Sequence, residues 1–242
     1  MNRKYKIILI VSLLCNLAIV YVAIKALEYR SHINHFLDKY THVVDEFSER
    51  DEFKEQNVAL VSDTIVENRI VFFGSQVIER WNLEKYFKGW ETINRGVQGQ
   101  RAAGFLLRFR PDVIDLKPEV VLIEISSYNF RPENSLNELQ DYLVCMADLA
   151  VYHKIRPILT TIIPIRQDSV NIGAYNLTDS TKMFNEWLRK YCDSTGILLA
   201  DFNRVLSSKE GYLPDSLSIG AIDPNEDSYK LMADEVHRAL EK

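Results

Sequence analysis

Cysteine is scarce in this sequence. Cys15, Cys145 and Cys192 are the only three in 242 residues. Their spacing matches neither a zinc-ligand pattern nor a redox pair, so a metal-stapled or thioredoxin-like chain is set aside and no metal site is expected from them. Cys15 lies in an apolar run. Cys145 and Cys192 lie in helical patterns and are expected to be buried free thiols, with a disulfide between them as the alternative in an exported domain. Beyond the N-terminus there is no run of Lys or Arg, and the net charge is −5. Both facts argue against a nucleic-acid partner. Repeats of solenoid length and low-complexity stretches are missing too. Glycine and proline number 9 and 7, and neither occurs between residues 28 and 57. What is present is a composition 47% apolar and 26% charged, which suits a packed core rather than disorder. The length allows one membrane segment and one domain of ordinary size.

The N-terminus carries the one long apolar run. Ile7 to Ile24 has no charged residue, and Arg3, Lys4 and Lys6 precede it. Such a run is long enough to cross a bilayer, and the preceding charges favour a cytoplasmic N-terminus. A cleaved signal peptide is the rival, but Tyr21-Val22-Ala23-Ile24-Lys25 is a poor cleavage site. Leu14 stands before Cys15, where a lipoprotein site needs a small residue. Residues 1–27 are therefore read as a signal-anchor, which puts the rest outside the cytoplasm. Residues 28–64 read as a helical stalk. Phe36, Tyr40, Val43, Val44 and Phe47 recur every three or four residues, the mark of an amphipathic helix. It is expected to pack on its own domain, with pairing to a second copy as the alternative. His32, His35 and His42 lie here and are read as solvated rather than metal-binding.

From residue 65 to 242 the pattern alternates. Apolar runs at 69–74, 91–94, 119–126, 156–163 and 197–201 read as strands, separated by helical patterns near 77–87, 100–114, 134–153, 179–194 and 225–241. The runs are continuous rather than alternating, as for strands buried on both faces. Strands alternating with helices imply a three-layer α/β/α sandwich around a mainly parallel five-stranded sheet. Ser135 or Asn134 is placed to cap the third helix, Asp179 or Ser180 the fourth, and Gly196 to end it. In such sheets ligands collect at the carboxyl ends of strands.

Residues 71–83 read Val-Phe-Phe-Gly-Ser-Gln-Val-Ile-Glu-Arg-Trp-Asn-Leu, a strand, a Gly, two polar residues and a helix start. Asn94-Arg95-Gly96-Val97-Gln98-Gly99-Gln100 follows, then Leu116-Lys117-Pro118-Glu119 leading into a strand and Ser126-Ser127-Tyr128-Asn129. Near the C-terminus stands Gly220-Ala221-Ile222-Asp223-Pro224-Asn225, followed by Tyr229. In order and spacing these blocks resemble those of the SGNH/GDSL hydrolases, a superfamily of esterases and acylhydrolases with a flavodoxin-like sheet. The resemblance covers roughly residues 65 to 240. It implies that Gly74 ends the first strand and that Gly99 supplies an oxyanion-hole N–H. It also implies a nucleophile at the position of Gln76, with Ser75 where the family has Asp. The second oxyanion donor, an Asn in the family, falls on Tyr128, or on Asn129 if the register slips by one. Gly220 stands at the Asp position and Asp223 at the His position of Asp-x-x-His-Pro.

These departures bear on chemistry. An amide has no ionisable proton to give up and does not form acyl-enzymes. A carboxylate accepts a proton near neutral pH far less readily than an imidazole. Of the five histidines, His153 precedes the fourth strand at the wrong end of the sheet, and His237 lies deep in the last helix. No catalytic residue is expected intact at Gln76, Gly99, Tyr128, Gly220 and Asp223. Ser75, Gln76, Gly99, Gln100, Ser126, Tyr128, Asn129 and Asp223 form instead a polar set with one aromatic ring, suited to a glycan or acylated carbohydrate. A closed pocket filled by its own hydrogen bonds is the other reading. Arg95 and Arg101 are expected at the surface or in ion pairs. Glu124, on a strand read as buried, needs a partner, either an Arg or a stalk helix. No cofactor is expected. The functional expectation is a membrane-anchored, catalytically inactive hydrolase-like protein of the cell envelope that binds a glycan or a partner protein. An esterase or deacetylase using non-standard residues and a structural protein assembled through its stalk are the alternatives.

Overall fold

The computed structural model describes residues 2–130, 135–167, 171–172, 175–219 and 223–241. The chain divides into two compact units, Met1–Glu46 and Phe47–Lys242. The first is made by helix α1 (Arg3–Ser48). Its segment Arg3–Leu37 is 35 residues long, reaches a mean hydropathy of 2.8 and is not buried. Spanning a bilayer takes about 20 apolar residues, so this helix is long and apolar enough for a single-pass anchor or a signal sequence.

The second unit is an α/β domain. Five strands, β1 (Val66–Gly74), β2 (Glu91–Gly96), β3 (Pro118–Ile123), β4 (Arg156–Thr160) and β7 (Leu198–Ala200), form one sheet in the order β2-β1-β3-β4-β7. Every neighbouring pair is parallel. Successive side chains leave a strand on opposite faces, so each strand feeds two cores. Val71, Phe73, Val121 and Ile123 enter one, against α5 (Ala102–Asp112), α6 (Leu136–Tyr152) and α7 (Leu177–Thr195). Ile70, Phe72, Val120 and Leu122 enter the other. That face is covered by α3 (Gln76–Glu79), α4 (Leu83–Tyr86), α8 (Phe202–Leu206) and α9 (Glu226–Leu240). The three-layer reading of the sequence holds.

Local details differ. Leu199 is only half-buried, because β7 is an edge strand paired with β4 alone. The helix expected over 77–87 is two short helices, α3 and α4, separated by Arg80, Trp81 and Asn82. Trp81 drops into the core against Phe72, Phe87, Phe202 and Tyr229, and that burial outweighs helix continuity. Helix α7 begins at Leu177, so Asp179 and Ser180 lie in its first turn rather than at its cap. Ser135 caps α6 by accepting the Glu138 N–H, and Gly196 ends α7 at φ +73°; Asn134 lies outside the described residues. A two-residue hairpin, β5 (Asn171–Ile172) with β6 (Tyr175–Asn176), was not foreseen. Cys192 is buried and its thiol is pushed up to about 12 by burial. Cys145, expected to be buried, is exposed because it sits on the outer side of α6; all three cysteines are free.

Within the second unit lies α2 (Lys54–Leu60), from the stretch read as stalk. Its Asn57 is buried against the domain. Asn57 Oδ1 accepts from Arg95 Nε and Nη2, and Nδ2 donates to Asp112 Oδ1 at 2.6 Å. Phe53 lays its ring 4.5 Å from the Arg95 guanidinium.

Candidate functional site at the carboxyl ends of β1 and β3

The site begins where β1 stops. Gly74 ends the strand, and Ser75 adopts extended backbone at φ −89° and ψ −161°. Its hydroxyl accepts the Val77 N–H at 3.4 Å and caps α3, as serine does at helix starts. Gln76 is thus the first helical residue. It is half-buried, and among the described residues nothing hydrogen-bonds its amide.

Beneath this turn lies Glu124, the residue without a partner in the sequence reading. Neither an Arg nor a stalk helix meets it. Its carboxylate accepts the Ser75 N–H at 2.7 Å. Burial raises this carboxyl to about 7, and the backbone and hydroxyl of Ser75 pull it only part of the way back. The contact dictates Gly74: a Cβ there would lie 2.6 Å from Glu124 Oε2 and 2.8 Å from Ile78 Cγ1. Gly96, at the end of β2, is required for a similar reason, since its Cβ would meet Glu79 Cα at 2.6 Å.

The loop after β2 turns at Gly99, which has φ +78° and open space where a Cβ would stand. Glycine is needed there for the backbone angle alone. Gln100 faces inward, 1% exposed, and its Oε1 accepts from Arg108 Nε. Arg108 also donates to Arg95 O at 2.9 Å and to Asp112 Oδ2 at 2.7 Å. Arg95 is therefore not at the surface: it is 2% exposed and hydrogen-bonded to Asn57. The loop that presents Gly99 rests on this buried arrangement, which sequence reasoning missed. Its signal was only three charged residues in helix and strand patterns, without the pairing.

After β3, Ser127–Asn129 make a short 3-10 turn. Asn129 is buried, and its amide is engaged at both ends: Oδ1 accepts the Ala102 N–H at 2.8 Å, and Nδ2 donates to Ser126 O at 3.2 Å. Tyr128 is half-buried. Ser126 is 4% exposed, and its hydroxyl has no hydrogen-bond partner among the described residues.

The C-terminal segment is tied in by its own bonds. Asn225 caps α9 through the Ser228 N–H, and the Tyr229 hydroxyl donates to Val77 O at 3.0 Å, linking α9 to α3. Asp223 lies 2.9 Å from Arg80 Nη1; the approach is too oblique for a hydrogen bond, so the contact is coulombic. Arg80 donates in turn to Gln98 Oε1 at 3.0 Å, bridging this segment to the Gly99 loop. Gly220 lies outside the described residues. His237 sits 3.0 Å from Tyr86 O with its ring against Phe87, and His153 closes the C-terminal end of α6. Neither histidine belongs to the site.

Residues 72–231 match the GDSL-like lipase/acylhydrolase family. The chain belongs to that family. A GDSL-like lipase from Bacteroides thetaiotaomicron is 26% identical, with a TM-score of 0.71 over 81% of this chain and 98% of that one. A Bacteroides fragilis protein described as an acylhydrolase is also 26% identical, with a TM-score of 0.69 over 78% and 94%. A variant of Axe2, an acetyl-xylooligosaccharide esterase from Geobacillus, shares the fold at 18% identity and a TM-score of 0.58, over 73% and 95%. Among curated proteins no significant sequence match was found. In this GDSL-like domain the Gly74, Gly99 and Tyr229 framework stands, while the turn after β1 offers an amide and the loop before α9 an ion-paired carboxylate.

Proposed function

We propose that this GDSL-like protein is a membrane-anchored member of the cell envelope that has lost ester hydrolysis and binds a glycan or a partner protein at the carboxyl ends of β1 and β3. The observation that carries the reading is Gln76 at the head of α3, the position of the family's nucleophile. Asp223, at the position of its base, is paired with Arg80. An amide cannot attack an ester. Asn129 spends its amide on Ala102 and Ser126, which favours Tyr128 as the side chain at the family's Asn position. Gln76 and Ser126 then leave an amide and a hydroxyl without partners among the described residues, and Tyr128 adds a half-buried ring, a set suited to a polyhydroxylated ligand. The sugar chemistry of the Geobacillus esterase is compatible with this choice. Equilibrium binding to acetylated xylooligosaccharides should be weakened about tenfold or more by Tyr128→Ala, the loss of one stacked ring. Unchanged affinity would remove Tyr128 from the site.

One observation favours a rival, an esterase built on Ser75 and Glu124. The Ser75 hydroxyl pulls on the Glu124 carboxyl, which lies near 7. Against it, Ser75 is 1% exposed and its hydroxyl caps α3.

The anchor assignment of residues 1–27, with the stalk leading to the domain outside the cytoplasm, rests on Arg3, Lys4 and Lys6 before the apolar run. Protease added to intact spheroplasts is expected to remove the domain. A soluble mature protein starting near residue 25 would contradict the anchor.

A further inference from the structure

A second cavity lies away from the β1 turn, and nothing in the family argument uses it. It opens at the carboxyl ends of β4 and β7, two and three strands along the sheet from β1, and encloses about 290 Å³. That is the small end of ligand pockets, which run roughly from 300 to 1,000 Å³. Thr178, Thr181 and Lys182 line it from the first turns of α7, Arg189 from farther along that helix, Asn203 from α8 and Lys209 from the turn beyond.

Three observations give the cavity a chemical preference. Arg189 is fixed in place: Nε meets Asp201 Oδ2 at 2.8 Å and Nη2 meets Asp201 Oδ1 at 3.0 Å. Its Nη1 has no partner among the described residues. Lys182 and Lys209 are exposed and make no ion pair among the described residues, so beside the Arg189–Asp201 pair the wall carries two free cations against the single carboxylate of Glu210. Thr181 is 5% exposed, and its hydroxyl has no hydrogen-bond partner among the described residues. Buried hydroxyls in folded proteins are normally satisfied, so an orphan lining a cavity asks for a ligand.

We propose that this cavity binds a small phosphate monoester. A neutral sugar would leave both lysines unmatched, and a carboxylate brings one charge on two oxygens. A phosphate monoester brings close to two, with oxygens enough for an ammonium pair, a guanidinium N–H and a hydroxyl at once. Its place at strand carboxyl ends and beside the start of a 19-residue helix agrees with where such anions collect.

The test is calorimetric titration of the full chain in a non-ionic detergent, in chloride buffer, with inorganic phosphate and separately with glycerol 2-phosphate. One-to-one saturable binding is expected for both, or for the ester alone if its organic group adds contacts. The double variant Lys182→Ala/Lys209→Ala, at two exposed positions where folding is safe, should weaken it by about tenfold or more, the worth of one good charge-assisted contact. Thr181→Val, which keeps the shape and deletes the hydroxyl, should weaken it too. Lys230→Ala, an exposed lysine of α9, should leave it unchanged. The proposal is overturned if neither probe saturates by about 10 mM, a millimolar constant being the weakest affinity of interest. It is equally overturned if the double lysine variant binds as the wild type does, or if Lys230→Ala weakens binding as much. Stronger competition by a short-chain phosphatidylglycerol than by glycerol 2-phosphate would replace the monoester by a lipid diester and would also overturn it.

Discussion

Asp112→Ala is expected to cost the domain about 3–5 kcal/mol, the usual result of removing one partner from a buried charge pair. Arg108 and Asp112 are fully buried and Arg95 is 2% exposed. Burial pulls both arginines below their ordinary range, Arg95 to about 10, and each guanidinium or its neighbour is held charged chiefly by Asp112. Asp112 meets Arg108 Nη1 at 2.7 Å and Asn57 Nδ2 at 2.6 Å. Without it Arg108 loses the one carboxylate hydrogen-bonded to it among the described residues and keeps only the coulombic pull of Glu49 and Glu52, and Asn57 loses the acceptor for its amide. Urea unfolding of the unit from Phe47 onward measures the loss. Asp112→Asn should be milder, since it keeps an acceptor for Asn57. A cost below about 1 kcal/mol for Ala, the value of an exposed pair, would mean that the cluster is solvated in solution. The same variant should loosen the Gly99 loop, because Arg108 is also what holds Gln100.

Glu124→Gln is expected to change how stability depends on pH by about 3 kcal/mol. The Glu124 carboxyl is raised from 4.5 to about 7 in the fold, and a tenfold change in proton affinity is worth about 1.4 kcal/mol. The folded protein holds this proton more tightly than the unfolded chain does. Its contribution to stability is therefore complete below pH 4.5 and is lost as pH rises to about 7. Glutamine keeps an acceptor for the Ser75 N–H and carries no charge at any pH. The variant should match the wild type near pH 4.5 and exceed it near pH 7.5. Taking the difference between the two proteins cancels Asp201 and Glu226, whose carboxyls are held low and titrate alike in both. Parallel stability curves would show that Glu124 is not desolvated as its 2% exposure implies.

The sheet was legible because its strands are continuous apolar runs and its turns carry Gly74, Gly96 and Gly99 in a known order. Edge position was not: Leu199 looks like any core leucine until β7 is seen to have one neighbour. Within the site, the amide at the head of α3 could be read from Gln76 alone. The state of Asp223 could not, because Arg80 is remote in sequence and only the α3 turn brings it within 2.9 Å. Glu124 was conspicuous as a charge in an apolar strand, yet its partner is a backbone N–H forty-nine residues earlier, which no side-chain pattern encodes. The Arg95, Arg108 and Asp112 cluster escaped for a related reason. Only the i, i+4 pair Arg108–Asp112 is local, and its burial depends on α2 covering it.

We propose that a GDSL fold has been kept here while its chemistry has gone. Catalytic groups of this kind act as a unit, so losing nucleophile and base together leaves no partial rate to be shared out. The most direct measurement is hydrolysis of 4-nitrophenyl acetate and of acetylated xylooligosaccharides by the purified chain, beside Ser75→Ala and Asp223→Asn. Wild type and both variants are expected to release product at the same background rate. Turnover by the wild type that either substitution abolishes would contradict it.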